Sequence, residues 1–227
     1  MKLLVDAVIF DLDGTLIDSA EIYSKIVEEA CARLRLPAPP RKTILEIARS
    51  TKADFRKILP DKIADRKDDL LDQVMHIMRE IFPKAFRDNV KLIPGVPGLI
   101  QRIHEAGLRI GIVTSTHSRY IDLKISPLKE VGVADLIDSI ICIEDSSKRK
   151  PNPDPLIKCM AILGVTPDRS AYVGDSYIDI IAGKAAGMKT VGVLTGMDDY
   201  KRLEAGGADI IVESVAGLLD YLVLTRE

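Results

Sequence analysis

Four aspartates in two short clusters are the residues of this 227-residue chain whose types and spacing are best suited to chemistry. The first cluster is Asp11-Leu12-Asp13-Gly14-Thr15. On an extended segment, alternation puts both carboxylates on one side, and Gly14 permits a tight turn with exposed N–H groups. Calcium loops also use D-x-D-G, but an EF-hand needs its glycine at position six and a helix before it. Here the glycine is fourth and follows an apolar run that reads as a strand. An Asx turn closing a strand would need one acid, not two. The second cluster is Gly174-Asp175-Ser176-Tyr177-Ile178-Asp179, in which Asp175 and Asp179 stack on one face of a helix that starts there. The plainer alternative is that Asp175 and Ser176 only cap that helix. Carboxylates so close repel one another unless a cation lies between them or a donor bridges them, and oxygen-only ligands suit a hard ion, Mg²⁺ first. Thr114 and Lys150 add a hydroxyl and an ammonium of the kind a phosphoryl group's equatorial oxygens require. Lys150 precedes Pro151-Asn152-Pro153-Asp154-Pro155, which fixes the backbone after it; Lys148 and Arg149 before it also allow a solvated basic run.

Positioning these groups falls to short β-branched runs at Val5–Phe10, Arg109–Thr114, Ser139–Ile143, Ala171–Val173, Thr190–Leu194 and Ile210–Val212. Near-continuous apolar runs of this length read as parallel strands covered on both faces. Helical periodicity fills the gaps at Pro97–Ala106, Ile121–Val131, Pro155–Leu163, Ile178–Ala186 and Val215–Leu224, with Gly107, Gly132, Gly164 and Gly187 as stops. Strand alternating with helix predicts an α/β sheet wound by right-handed crossovers. Its carboxyl edge would carry Asp11, Thr114 with Ser115, Glu144-Asp145 and Asp175, the edge where open α/β sheets bind ligands. One crossover is oversized: Asp11 to Arg109 spans 98 positions, where a βαβ unit takes about 30. The excess reads as helices, with examples at Ala20–Leu34, Thr43–Ser50 and Lys62–Ile81. A helical domain is therefore predicted after the first strand, leaving and returning near that strand's carboxyl end.

Composition narrows the field. Hydrophobic residues make up 47% and charged residues 29%, a globular balance that supports a large core. A formal charge of −2 offers no footprint for nucleic acid or anionic membrane, and 4% aromatics with no Trp is a poor supply for base stacking. No uncharged run reaches membrane-spanning length. Asp6 interrupts what would have to be a signal peptide's apolar stretch. Cys31, Cys142 and Cys159 are widely spaced among apolar residues, without C-x-x-C, and read as reduced thiols of a cytoplasmic protein.

Asp11-Leu12-Asp13-Gly14-Thr15, Thr114, Lys150-Pro151 and Gly174-Asp175-Ser176-x-x-Asp179 stand in the order and spacing of the four motifs of the haloacid dehalogenase superfamily, which this chain resembles over nearly its whole length. The inserted segment and the tail from Gly192-Val193 to Gly206-Gly207-Ala208-Asp209 resemble the phosphoglycolate phosphatase and β-phosphoglucomutase branch. The expected fold is then α/β, a Rossmann-like doubly wound parallel sheet at 1–16 and 93–227 with an α-helical cap domain at 17–92. The resemblance implies that Asp11 is a nucleophile forming an aspartyl phosphate and that Asp13 is the acid/base. It implies Mg²⁺ held by Asp11, Asp175 and the backbone carbonyl of Asp13, with Asp179 supporting the metal or orienting Lys150. Thr114, the N–H of Ser115 and Lys150 would hold the transferring oxygens. The superfamily's dehalogenases lack the second acid, so Asp13 points to phosphoryl chemistry.

The resemblance makes a Mg²⁺-dependent phosphatase acting on a small phosphorylated metabolite the leading expectation, as monomer or homodimer. Phosphoglycolate or pyrophosphate would be the substrate, with sugar phosphates open. A phosphomutase is the nearest rival, but the mutases carry a histidine where Tyr23 stands here. A receiver-type signalling domain shares the phosphorylated Asp, Mg²⁺, Thr and Lys, yet is about half this length and lacks both insertion and second acid. Arg49, within Ile47-Ala48-Arg49-Ser50-Thr51-Lys52, falls where the branch places its specificity loop and could pair with a carboxylate or second phosphate. Arg149 replaces a frequent glycine of the family. His76 and His104 read as surface or packing residues, while His117 lies close enough to Thr114 to reach a substrate.

Overall fold

A computed structural model describes residues 2–48, 55–60 and 67–224. Contacts divide the chain into two compact units, 1–18 with 91–227, and 19–90. The larger unit is built on a six-stranded sheet. Its strands are β1 (Ala7–Phe10), β4 (Arg109–Val113), β5 (Ser139–Ile141), β6 (Ser170–Gly174), β7 (Lys189–Val193) and β8 (Ile210–Val212). A two-residue antiparallel pair, β2 (Ile17–Asp18) with β3 (Lys91–Leu92), closes the neck from which the insertion leaves and to which it returns. The sheet order is β5-β4-β1-β6-β7-β8, with every pair parallel. The expected α/β fold with an inserted helical unit is thus borne out.

This order explains why the site forms where it does. From β1 the chain adds β4 and β5 on one side, then crosses back to place β6 on the other. The reversal opens a crevice beyond the carboxyl end of β1, the usual ligand position in open α/β sheets. Register finishes the work: Phe10 pairs with Ile112 on one side and Val173 on the other. The residues that follow, Asp11, Val113-Thr114 and Gly174-Asp175, therefore emerge side by side. All four residues of β1 are buried, as befits a central strand covered on both faces.

Helices α4 (Val96–Glu105), α5 (Ser118–Lys124), α6 (Ser126–Glu130), α7 (Asp154–Leu163), α8 (Tyr177–Ala185) and α9 (Tyr200–Ala205) complete the unit. Leu156, Cys159, Met160 and Leu163 of α7 share one core cluster with Ala7, Ile9, Val113 and Ile141 of the sheet. Two expectations fail here for local reasons. The single helix expected over Ile121–Val131 is two, broken at Ile125, because Pro127 has no N–H to continue the ladder and sits instead in the first turn of a new helix. The helix expected over Val215–Leu224 is only a 3₁₀ turn at Val215–Asp220, since Leu222 bridges to Leu3 instead of winding on. Helix α9 and the β2–β3 pair were not expected at all. Asp199 caps α9 by accepting from the Arg202 N–H.

The smaller unit contains α1 (Ala20–Arg33), α2 (Arg41–Ala48) and α3 (Lys67–Asn89). Helices α1 and α3 pack together around aromatic rings. Tyr23 meets Phe86 edge-on at 5.3 Å, and Phe82 stacks on Phe86 at 4.3 Å. Tyr23 thus serves the packing of its own unit. Arg49 and the segment to Lys52 lie outside the described residues. Among the described residues no helix is long and apolar enough to cross a membrane. Cys31, Cys142 and Cys159 are free and buried.

Candidate active site

At the carboxyl end of β1 and β6, Asp11, Asp175 and Asp179 bring one carboxylate oxygen each within 4.8 Å of the others, all three residues buried. Lys150 enters this group from the connection between β5 and α7. Its ammonium donates to Asp11 Oδ1 at 2.7 Å, Asp179 Oδ1 at 2.6 Å and the Tyr172 hydroxyl oxygen at 2.9 Å. The peptide bond from Lys150 to Pro151 is cis. Asp179 has no oxygen to spare: Oδ1 also accepts from the Tyr172 hydroxyl, and Oδ2 accepts from the Ser176 hydroxyl and N–H.

Asp175 is held differently. Its Oδ2 accepts the Met197 N–H at 2.6 Å, while the Thr15 hydroxyl stands 3.5 Å from Oδ1. The loop carrying Met197 passes so close that a Cβ on Gly196 would lie 1.9 Å from Asp175 Oδ2. On the other flank Gly14, with φ of +78°, would place a Cβ 2.5 Å from the same oxygen. Both glycines are required by this approach. Asp198 braces the loop by accepting from the Tyr177 N–H and the Arg202 guanidinium.

The electrostatic balance follows from one ammonium set among three buried acids. Burial pushes the Asp11 carboxyl up to about 7; Lys150 opposes this, and Asp179 and Asp13 add to it. Burial likewise raises Asp175 well above the usual carboxylate range, helped by Asp179 and Asp11. Burial works against the charged Lys150, but Asp11 and Asp179 outweigh it and hold the ammonium firmly protonated. Surplus negative charge in an oxygen-lined, buried space is what a hard divalent cation neutralises. The donor set therefore fits Mg²⁺.

Asp13 belongs to a second cluster. Its Oδ2 accepts from the Lys124 ammonium at 2.5 Å and the Thr116 hydroxyl at 3.2 Å, and its Oδ1 is buried with no hydrogen-bond partner. Thr114 is buried; its hydroxyl donates to Thr116 Oγ1 and accepts the Thr116 N–H. Thr114, Ser115 and Lys150 line one small cleft, with Lys148, Arg149 and Cys142. Arg149 is an exposed residue of that rim. His117 is turned toward Glu144, with Nδ1 at 2.6 Å from Oε1, while His76 and His104 are exposed.

Asp11, Asp13, Thr114, Ser115, Lys150, Asp175 and Asp179 are therefore brought to one edge of the sheet. Sequence reasoning missed Thr15, Thr116, Lys124, Tyr172 and the Gly196–Asp198 loop. Lys124 carried a signal: it interrupts the apolar spacing of Ile121, Ile125 and Leu128. Tyr172 carried none, since a tyrosine inside an apolar strand run reads as core.

A doubly wound sheet with clustered acids and a buried lysine at its switch point defines a class of enzymes. The model of the haloacid dehalogenase-like hydrolases matches residues 8–193, and the chain belongs to that family. The phosphoglycolate phosphatase of Salmonella paratyphi A is 30% identical over 240 residues, covering 97% of this chain and 93% of the relative. That of Escherichia coli K12 is 30% identical over 241 residues, with the same coverage. The fold is shared with a protein of Haemophilus somnus, predicted to be a phosphoglycolate phosphatase, at a TM-score of 0.82 and 19% identity over 96% of this chain and 97% of that one. CbbY from Rhodobacter sphaeroides, solved with phosphate, superposes with a TM-score of 0.72 at 22% identity, over 94% of this chain and 96% of that one.

Proposed function

We propose that this chain is a Mg²⁺-dependent phosphohydrolase that cleaves a small phosphorylated metabolite through an aspartyl phosphate, with phosphoglycolate as the first candidate substrate. The observation that carries the reading is Asp11. It is a buried carboxylate whose Oδ1 is held by Lys150 while Oδ2 takes no hydrogen bond from the described residues. Such an oxygen is oriented for in-line attack on phosphorus. The likeness to curated phosphoglycolate phosphatases over 97% of the chain supports the substrate class.

Asp11, Asp175 and the backbone carbonyl of Asp13 would hold the ion. When bound, Mg²⁺ supplies charge that offsets the repulsion between carboxylate and phosphate. Asp179, both of whose oxygens are engaged, fixes Lys150. Lys150, the Thr114 hydroxyl and the Ser115 N–H would hold the phosphoryl oxygens where charge develops. Asp13 gives a proton to the departing alkoxide and takes one from the water that hydrolyses the aspartyl phosphate. The three buried, unpaired thiols suit a reducing cytoplasm. The chain would act as monomer or homodimer.

Phosphate release from phosphoglycolate, pyrophosphate, sugar phosphates and p-nitrophenyl phosphate, with and without Mg²⁺, tests the reading. Many turnovers per chain that require Mg²⁺ and favour phosphoglycolate are expected. No release from any of these compounds would overturn it.

A further inference from the structure

Lys124 is a charged side chain that the mechanism above does not use, and it is only 1% exposed. Burying an ammonium costs several kcal/mol unless well-placed acceptors receive it. An apolar residue at the end of α5, beside Ile125 and Leu128, would pack without that cost. Among the described residues Asp13 Oδ2 at 2.5 Å and Thr116 Oγ1 at 2.9 Å receive it. Thr116 in turn donates to the same Oδ2, so Lys124, Thr116 and Asp13 close a triangle. The Thr116 hydroxyl is fully used, accepting from Lys124 and Thr114 while donating to Asp13.

The two oxygens of Asp13 are thereby made unequal. An aspartate's terminal torsion is broad and roughly two-fold, so an unrestrained carboxylate would interchange them. Here Oδ2 is occupied by two donors, and Oδ1 is buried with no partner. We propose that Lys124 is a positioning residue: with Thr116 it occupies Oδ2 of Asp13, so that proton exchange with the reacting groups takes place at Oδ1. The proposal rests on the reading of Asp13 as acid/base. In the first step the bond from Asp11 to phosphorus forms, the bond to the leaving oxygen breaks, and the proton on Oδ1 passes to that oxygen. In the second, water oxygen attacks phosphorus, its proton passes to Oδ1, and the electron pair of the breaking bond returns to Asp11.

The test compares kcat/KM for two esters. One is an alkyl phosphate (phosphoglycolate or glycerol 3-phosphate, whichever the wild type turns over), whose alkoxide must be protonated as it departs. The other is p-nitrophenyl phosphate, whose nitrophenolate leaves without a proton. Because kcat/KM reports events only through the first irreversible step, hydrolysis of the phosphoenzyme does not enter. Lys124→Met is expected to lower kcat/KM about 100-fold for the alkyl ester and less than about 3-fold for the nitrophenyl ester. Thr116→Val is expected to give the same selectivity on a smaller scale. Asp13→Asn, run alongside, separates the two ideas. If it is selective and Lys124→Met lowers both esters equally or neither, Lys124 only packs and the inference is wrong. If Asp13→Asn itself is unselective, the acid/base reading fails and takes the inference with it. Should Lys124→Met fail to fold by circular dichroism, the ester ratio for Thr116→Val decides by the same criterion.

Discussion

Two lysine–aspartate clusters stand side by side at the end of β1, and they solve different problems. Around Asp11, one ammonium from Lys150 faces three buried carboxylates. Around Asp13, the ammonium of Lys124 faces one carboxylate among the described residues, and a threonine completes the triangle. The first cluster is left with surplus negative charge and raised carboxyls, which is the condition for recruiting a cation. Among the described residues the second pairs one ammonium with one carboxylate, which is the condition for holding a side chain still. The lysine side chain is buried in both, but Asp13 is partly exposed where Asp11, Asp175 and Asp179 are buried, so the contrast lies in charge count and in burial of the acids.

That contrast can be broken at several points. Asp11→Asn has the largest expected effect. Removing the attacking oxygen should cost at least about 10⁴-fold in kcat for every ester alike, with circular dichroism unchanged. Retained wild-type turnover would show that the attack comes from elsewhere. Next comes Gly196→Ala, whose Cβ would lie 1.9 Å from Asp175 Oδ2 and must displace either that carboxylate or the loop. The Mg²⁺ concentration for half-maximal activity should rise about 10- to 100-fold. Thr116→Val should leave that concentration unchanged, because it touches only the balanced cluster. A shift of equal size in both variants would mean that the two clusters act as one.

The smallest effect concerns stability against pH in protein stripped of metal with EDTA. Asp11 carries its proton in the folded state up to about pH 7, against an ordinary value of 3.8. Between those values the folded state binds the extra proton, so the stability linked to Asp11 is present at low pH and lost as pH rises through that window. Asp11→Asn lacks this loss. Urea unfolding should therefore show the variant gaining on the wild type by a few kcal/mol from about pH 4 to pH 7. Parallel curves would place the Asp11 titration near its ordinary range, and the surplus charge would have to reside on Asp175.

The strands were legible because parallel strands buried on both faces leave near-continuous apolar runs, and the runs found by pattern overlap all six strands of the sheet. The helix over 121–131 was misread because its apolar spacing continues through Pro127, which periodicity alone ignores. Helix α9 escaped because six residues are too few for a period to show. Within the site, Asp11, Thr114 and Asp175 were legible as polar residues that end apolar runs. Lys124 was visible only as a break in an apolar spacing, which does not say which way a helix-borne lysine will reach, and Thr116 left no mark.

Sequence by itself determined which groups could do chemistry here and that they would share one sheet edge, because residue type, strand period and turn chemistry are local properties. Only the tertiary structure decided which lysine serves which aspartate. Lys150 lies 139 positions from Asp11 and Lys124 lies 111 from Asp13, and these pairings were fixed by strand order, register and the packing of α5. Tertiary structure also decided the raised carboxyl of Asp11, because desolvation arises from the whole surroundings of a group and is written in no single segment of the chain.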